Sequence, residues 1–394
     1  MAEYTYLIVG GGMTADAAIR GIREVDASGS IGVIGAEPDP PYNRPPLSKG
    51  LWKGDPEASI WRPPAPPGVT FHLGRRAGRL DVHAKRVTDD QGASYGFGKL
   101  LLATGGAPRR LPIQADDIIY FRTLADYRRL RAMTTEPRRF GVLGGGFIGT
   151  EIAAGLRIQG CDVVMLVPES GLCARVFPAD LSAFVSDYYR QKGIEVRTGD
   201  GVADLDRGDG RTVLRTTGQQ RVAVDTVVAG LGIQPSVELA QQAGLRVENG
   251  IVVDEACCTS HPAVYSAGDV ANFHNPALGT RIRVEHEDNA NTMGGVAGRN
   301  MAGQATPYHH LPFFYSDLFD LGYEAVGELD ARLETLSDWK EPFREGVVYY
   351  LKGGRVRGVL LWNTWGQVDA ARALIAEPGP VRVGDLKGRI RAKS

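Results

Sequence analysis

The sequence predicts an α/β fold: two domains built on strand–turn–helix–strand units, followed by a smaller α+β domain towards the C-terminus. Three observations carry that expectation. A β-branched, aromatic and apolar run at residues 4–9 stops at Gly10-Gly11-Gly12 and gives way to an alanine-rich helical pattern at 14–25 and a second strand at 31–34. The same succession returns 134 positions later: a strand at 140–143, then Gly144-Gly145-Gly146, a helix at 148–159 and a strand at 163–167. After about residue 312 the order changes to strands at 347–351 and 356–362 around a Lys352-Gly-Gly354 turn, then a helix at 367–376.

Taken in order, the segments between these units are also legible. Residues 38–51 and 61–67 are proline-rich and read as stiff, extended loops. Residues 99–102 form a strand that runs into a glycine turn, and 226–232 repeat that signature after the second unit. Residues 264–269 read as a further strand with a carboxylate, Asp269, at its end. A chain of 394 residues exceeds what one core supports, so two or three domains are expected.

Composition narrows the function classes. A formal net charge of -1 argues against a dedicated nucleic-acid or membrane-surface binder. The opening apolar run leads straight into a glycine motif, so no signal peptide is expected, and no stretch approaches the roughly 20 apolar residues of a membrane span. Cys161, Cys173, Cys257 and Cys258 lack metal-site or Cys-x-x-Cys spacing, which suits a reducing cytoplasm and no metal. The adjacent pair Cys257-Cys258 reads as an ordinary strand end. From Arg109 to Arg139, eight arginines face only Asp116, Asp117, Asp126 and Glu136, a basic stretch that is either a solvated helix face or a dock for an acidic partner. The chain holds 51 glycines, and many fall at strand-to-helix turns, where backbone must come close to something.

Gly10, Gly12 and Ala15, with Met13 and Thr14 between, fit G-x-G-x-x-G/A. The first glycine makes the tight turn, and the second lets backbone approach a pyrophosphate. The third small residue lets the helix lie close to the strand, with its N–H groups and dipole aimed at the phosphates. Glu37, 27 positions beyond Gly10, is placed to accept from a ribose hydroxyl pair. Gly144, Gly146 and Gly149, with Phe147 and Ile148, repeat the motif, and Glu169 repeats the acid. An acid there favours NADH over NADPH, and Ser170 and Gly171 follow it with no arginine to clasp a 2′-phosphate. Two Rossmann-like dinucleotide sites in one chain suggest hydride transfer from a nicotinamide to FAD, with Asp269 facing the flavin's ribityl-phosphate side.

Further residues extend this to a resemblance. Pro41-Tyr-Asn-Arg-Pro-Pro-Leu-Ser-Lys49, Ala103-Thr-Gly-Gly-Ala-Pro-Arg109 and Val284-Glu-His286 are similar to signatures of the ferredoxin reductase and apoptosis-inducing factor group of FAD-dependent oxidoreductases. Residues 350–361 resemble that group's C-terminal reductase domain. The resemblance spans essentially the whole chain. It implies an FAD domain in two parts (1–112 and 235–311), an NAD domain at 113–234 and a C-terminal domain at 312–394.

The resemblance also implies roles. Arg44 and Arg109 would meet FAD phosphates, with Ala103, Thr104 and Gly105 nearby and the backbone near Ala77 at the adenine. Lys49 would stand beside the flavin, paired with Glu151, since a carboxylate keeps a buried lysine charged. Glu285 and His286 would lie near the flavin and nicotinamide, and Gly232 and Tyr315 on the NAD side. Tyr315 stands where relatives often carry tryptophan, and the 43–49 loop lacks the cysteines of disulfide reductases. The expected acceptor is a small acidic iron–sulfur protein of ferredoxin or rubredoxin type. A redox-responsive binder like apoptosis-inducing factor, towards which the Glu285-His286 pair and Glu324 lean, and a monodehydroascorbate- or quinone-type reductase are the alternatives. The protein is expected to be a cytoplasmic monomer or homodimer.

Overall fold

The computed structural model describes residues 2–113, 117–208 and 211–391; Asp116 of the arginine-rich stretch lies outside them. The chain divides into two compact units. One comprises Met1–Arg44, Ala58–Ala107 and Gln234–Phe313, and the other Pro45–Glu57, Pro108–Ile233 and Phe314–Ser394.

The first unit is built on a seven-stranded sheet. Its strands lie in the order Val69–Leu73, Ile31–Gly35, Ala2–Val9, Ser94–Leu102, Arg86–Asp89, Ala77–Asp81, and Val264–Ser266 also pairs with Ser94–Leu102. Ala2–Val9 is parallel to both its neighbours, and Val264–Ser266 is parallel to Ser94–Leu102. Leu7, Ile8, Leu100 and Leu101 are wholly buried, because a parallel sheet is covered on both faces and its strands read as unbroken apolar runs. Parallel strands also end on one rim, which brings together the turns after Val9, Leu102 and Ser266.

The helix Met13–Val25 covers this sheet with Glu287–Met301 against it. The two helices are almost in backbone contact. A β-carbon at Gly21 would stand 2.3 Å from the Gly295 carbonyl, and one at Gly298 would stand 2.2 Å from that of Ala18. The glycines that weaken Glu287–Met301 as an isolated helix are what allow it to pack, so low propensity hides a helix that tertiary contact makes.

In the second unit, Glu195–Thr198, Asp162–Val167, Arg139–Leu143, Thr226–Ala229 and Ile119–Tyr120 form a parallel sheet in that order. A three-stranded antiparallel sheet, Val202–Gly208, Arg211–Thr216 and Arg221–Val224, accompanies it. Phe313–Leu318, Leu321–Gly327, Arg355–Trp362, Glu345–Lys352 and Glu334–Glu341 make an antiparallel sheet, and the helix Val368–Ala376 packs on it.

Three local expectations are corrected. The proline-rich stretch at 38–51 is not extended throughout: Pro45–Leu47 and Gly50–Trp52 are 3-10 turns, closed by Ser48 N–H to the Pro45 carbonyl and Lys49 N–H to that of Pro46. The fixed proline φ suits such a turn as well as an extended path. Asp269 lies not on a strand but in a short 3-10 turn, Gly268–Val270. Cys257 and Cys258 belong to a turn, with Cys257 at φ 62° and Cys258 bridged to Tyr265.

A buried carboxylate closes the hairpin edge of the first sheet. Asp89 accepts from Arg75 Nη1 at 2.8 Å, Tyr95 Oη at 2.8 Å and the N–H groups of Gln91 at 3.0 Å and Ala93 at 2.8 Å. Burial pushes its pKa up, but these donors outweigh burial and bring it down to about 2 from an ordinary 3.8. A depressed carboxylate pKa contributes stability above the unfolded value, and the contribution disappears as pH falls from about 4 through about 2. Asp89→Asn is therefore expected to cost about 2 kcal/mol in urea unfolding at neutral pH. The gap from the unsubstituted protein should close across that acid window, and a gap independent of pH would contradict the assignment.

Candidate functional site

In the first unit, the turns on the sheet rim converge around Gly10. Its φ is 122°, and a β-carbon there would lie 2.1 Å from the Ala103 carbonyl oxygen, so only glycine fits. Ala103 in turn donates its N–H to Val9, and Thr104 Oγ1 donates to the Ser236 carbonyl. Gly268, next to Asp269, lies against Thr14: a β-carbon there would be 2.3 Å from Thr14 Oγ1. Gly10, Met13, Thr14, Ala15, Ala103, Thr104, Gly105 and Asp269 thus share one rim. Gly12 caps Met13–Val25 without a side-chain bond, and a β-carbon on it would meet nothing within 4 Å. An uncapped helix start facing open space fits a pyrophosphate.

Glu37 is already partnered. Arg44 Nη2 lies 2.7 Å from Glu37 Oε1, and Tyr42 Oη donates to Glu37 Oε2 at 2.6 Å. Burial lowers the Arg44 pKa, but Tyr42, Glu37 and Asp269 push it further the other way, and the net shift is upward. Glu285 pairs with Arg283 at 2.6 Å, and Arg283 Nη1 also donates to the Asp269 carbonyl at 3.0 Å. Arg283 therefore ties two predicted site residues together, yet nothing in the sequence marked it. His286 is the extended residue that precedes Glu287–Met301. Ala77 opens the edge strand, three strands across from that of Gly10.

Arg62 was also missed. It reaches Asp16 at 2.7 Å, Asn43 at 2.9 Å and Asn291 at 3.0 Å, tying two loops to both glycine-packed helices. No local motif signals it, because its partners are remote in sequence.

The second unit repeats the glycine device. Gly144 has φ 99°, a β-carbon on it would sit 2.7 Å from the Gly230 carbonyl, and one on Gly149 would sit 2.1 Å from that of Gly144. Gly146 faces open space at the uncapped start of Phe147–Ile158. A second pyrophosphate fits there on the same grounds. Ile148 lies in that helix's first turn, and the Phe147 ring meets Phe314 at 5.2 Å. Gly232 accepts from Arg109 N–H at 2.9 Å. Glu169 meets Arg175 at 2.6 Å: although Ser170 and Gly171 directly follow the acid, a guanidinium reaches it from six residues on.

Glu151, only 3% exposed, anchors the centre of this unit. Lys49 Nζ lies 2.9 Å from Oε1, Ser316 Oγ donates to Oε1 at 2.5 Å, and Ser48 Oγ donates to Oε2 at 2.5 Å. Lys49 Nζ also lies 5.1 Å from the Tyr315 ring centre, a cation–π contact. Trp52 fixes the loop that carries Ser48 and Lys49. Its Nε1 donates to the Leu47 carbonyl at 2.7 Å, and its ring lies where a β-carbon at Gly155 would have to go. Ser48 and Ser316 were missed as ligands, since a serine beside a lysine motif carries no signal until the fold brings Glu151 to it.

Burial raises the pKa of all four thiols, Cys173 to about 12, so none is a ready thiolate near neutrality. Among the described residues no cluster of histidine, cysteine or carboxylates could hold a metal.

The family model for pyridine nucleotide-disulphide oxidoreductases matches residues 4–294. The chain belongs to that family. A second match, to the C-terminal domain of mitochondrion-associated apoptosis-inducing factor, covers residues 297–342 and 337–377. The chain is 35% identical to the ferredoxin–NAD(+) reductase component of the anthranilate 1,2-dioxygenase system of Burkholderia cepacia, over 98% of both proteins. It is 32% identical to apoptosis-inducing factor 1 of Dictyostelium discoideum, over 95% of this chain and 78% of that one. The structure aligns with a covalent putidaredoxin reductase–putidaredoxin complex at a TM-score of 0.90 and 28% identity, over 98% of this chain and 97% of the other. As a member of this family, the protein is an FAD-dependent NAD(P)H oxidoreductase that uses FAD and NAD(H).

Glu151→Gln leaves the Lys49 ammonium buried without its counter-charge. It is expected to cost about 3 kcal/mol of stability, against about 1 kcal/mol for Ser48→Ala or Ser316→Ala. Urea unfolding of the three variants checks the order, and equal costs would show that the carboxylate's charge is not what the site is built around.

Proposed function

We propose that the protein oxidises NADH and delivers electrons to a small iron–sulfur protein of ferredoxin or rubredoxin type. The observation that carries this reading is the buried Lys49–Glu151 pair with Ser48 and Ser316 around it. The pair holds the Lys49 ammonium in one place, and the four thiols have raised pKa values, an arrangement suited to stabilising a reduced cofactor rather than attacking a substrate. When bound, FAD links a two-electron hydride donor to a one-electron acceptor.

In this reading the first unit holds FAD. Gly10, Gly12, Met13, Thr14, Ala15, Ala103, Thr104 and Gly105 cradle the pyrophosphate, and Glu37 accepts from the adenosine ribose. Arg44 exchanges part of its contact with Glu37 for phosphate, Asp269 serves the ribityl side, and Glu285 and His286 serve the flavin's pyrimidine end. The second unit holds NADH: Gly144, Gly146, Phe147, Ile148 and Gly149 take the pyrophosphate, Glu169 the ribose, and Gly232 and Tyr315 flank the nicotinamide half. The family resemblance adds Lys49, Arg109 and Ala77 to the FAD contacts. Residues 1–112 and 235–311 would form the FAD domain, 113–234 the NAD domain and 312–394 a C-terminal domain.

The ferredoxin-type acceptor is supported by the names of the relatives and by the exposed Arg110 and Arg129. The basic stretch is partly neutralised within the unit, since Arg128 pairs with Glu57 and Arg139 with Glu195. We take the protein to be a cytoplasmic monomer or homodimer without nucleic-acid or membrane partners. Its near-neutral charge and free cysteines support this, and no helix among the described residues is long and apolar enough to cross a membrane. The C-terminal match to apoptosis-inducing factor favours a second reading, a slow NADH-responsive binding protein. Glu324, which leaned that way in the sequence, accepts from Gly366 N–H at 2.9 Å and is thereby part of the domain's own structure.

Stopped-flow mixing of the FAD-loaded protein with NADH in air separates the two. The reductase reading expects fast bleaching and prompt reoxidation by an added ferredoxin, several-fold slower as ionic strength rises. It also expects Lys49→Ala to slow flavin reduction by about tenfold or more. A persistent long-wavelength charge-transfer band, with a change of size on NADH addition, would favour the second reading instead.

A further inference from the structure

The Arg62 guanidinium spends each of its three nitrogens on a different segment of the first unit. Nε donates to Asp16 Oδ2 at 2.7 Å, Nη1 to Asn43 Oδ1 at 2.9 Å and Nη2 to Asn291 Oδ1 at 3.0 Å. Its side chain is 14% exposed, so water competes little for these bonds. Charge balance does not require it. Asp16, 2% exposed, already receives Arg20 through Nε at 3.0 Å and Nη2 at 2.9 Å, and a two-bond arginine contact satisfies a buried carboxylate. What Arg62 adds is position, because a planar cation with donors in a rigid fork holds its acceptors in one arrangement.

Each acceptor lies close along the chain to a residue proposed to meet FAD. Asp16 follows Ala15 in the first turn of Met13–Val25. Asn43 precedes Arg44, and Asn291 lies in the second turn of Glu287–Met301, the helix that His286 precedes. The loop bearing Arg44 is joined to the segment bearing Arg62 through backbone as well. Asn43 N–H donates to the Ile60 carbonyl at 2.8 Å, and Tyr42 bridges to Trp61 with ring centres 6.1 Å apart. Loop and guanidinium therefore form one piece, and Asp16 locks that piece to the helix of the glycine turn.

We infer that Arg62 is a positioning residue for FAD, which acts through Arg44 by fixing it against the phosphates at the start of Met13–Val25. The inference rests on the reading that Arg44 meets those phosphates. Arg44 has a competing partner, Glu37, at 2.7 Å. A loop released from Asp16 lets Arg44 follow that carboxylate away from the phosphates, and the cofactor then leaves faster.

The test is the rate of FAD release from the FAD-loaded protein, followed as the rise of free-flavin fluorescence after dilution. Arg62→Gln, Asn43→Ala and Arg44→Gln are compared singly, and the first two also in combination with the third. Urea midpoints serve as the folding control, and Asn43→Ala, which removes one bond and no charge, carries the test if Arg62→Gln does not fold. Arg62→Gln is expected to speed release about tenfold, with Asn43→Ala reproducing most of that increase. Each double variant should release FAD within about threefold of Arg44→Gln alone, since a brace for Arg44 has nothing left to place. A merely structural role would make the effects of the two substitutions multiply, and that result overturns the inference. Unchanged release in Arg62→Gln, with Arg44→Gln fast, overturns it too and leaves Arg44 at the phosphates. Unchanged release in Arg44→Gln overturns the placement of Arg44 itself, and this inference with it.

Discussion

A carboxylate in a protein interior must have its oxygens filled, and the second unit is arranged around one that does. Glu151 takes an ammonium and two hydroxyls from segments distant in sequence: Ser48 and Lys49 from a proline-led loop, and Ser316 from the strand Phe313–Leu318. Opening any of these contacts leaves a buried charge or acceptor unsatisfied, which costs more than the contact itself contributes. The loop is further pinned by Trp52, whose ring occupies the space left by Gly155 one turn along the helix that bears Glu151. A single buried anion thus fixes the position and orientation of Lys49, and Lys49 is where the proposed chemistry concentrates.

How much of this was legible depended on whether the signal was local. The two glycine turns, the acids at 37 and 169 and the main strands could be read because turn geometry and apolar runs are written in consecutive residues. The Lys49–Glu151 pair was anticipated only through family resemblance, and the structure has it at 2.9 Å. Ser48, Ser316, Arg62, Arg175 and Arg283 escaped because each acts through a partner that folding supplies. The helix Glu287–Met301 escaped for the opposite reason. Its glycines argue against a helix locally, while their lack of side chains is what allows Met13–Val25 to lie against it.

The chemistry the site can perform follows from what surrounds it. The family's name includes disulphide reduction, but here Cys161, Cys173 and Cys257 are buried, all four thiols have raised pKa values, and the loop before Lys49 carries no cysteine. What remains is two glycine turns at helix starts without a side-chain cap, and the Lys49 ammonium. Turns of this kind offer backbone N–H groups, which suit a phosphate without committing to a substrate. The charge sits beside an aromatic ring, Tyr315, at 5.1 Å. In the proposed function the Lys49 charge serves electron transfer, and the choice of acceptor is left to the protein surface.

The most direct measurement is the two-electron midpoint potential of bound FAD in the unsubstituted protein and in Lys49→Met and Lys49→Arg. If the held cation stabilises the reduced cofactor, Lys49→Met lowers the potential by about 30 mV or more, since 30 mV corresponds to about 1.4 kcal/mol for two electrons. Lys49→Arg, which keeps the charge, should stay close to the starting value. An unchanged potential in Lys49→Met, with FAD content and spectrum intact, would contradict the account at its centre.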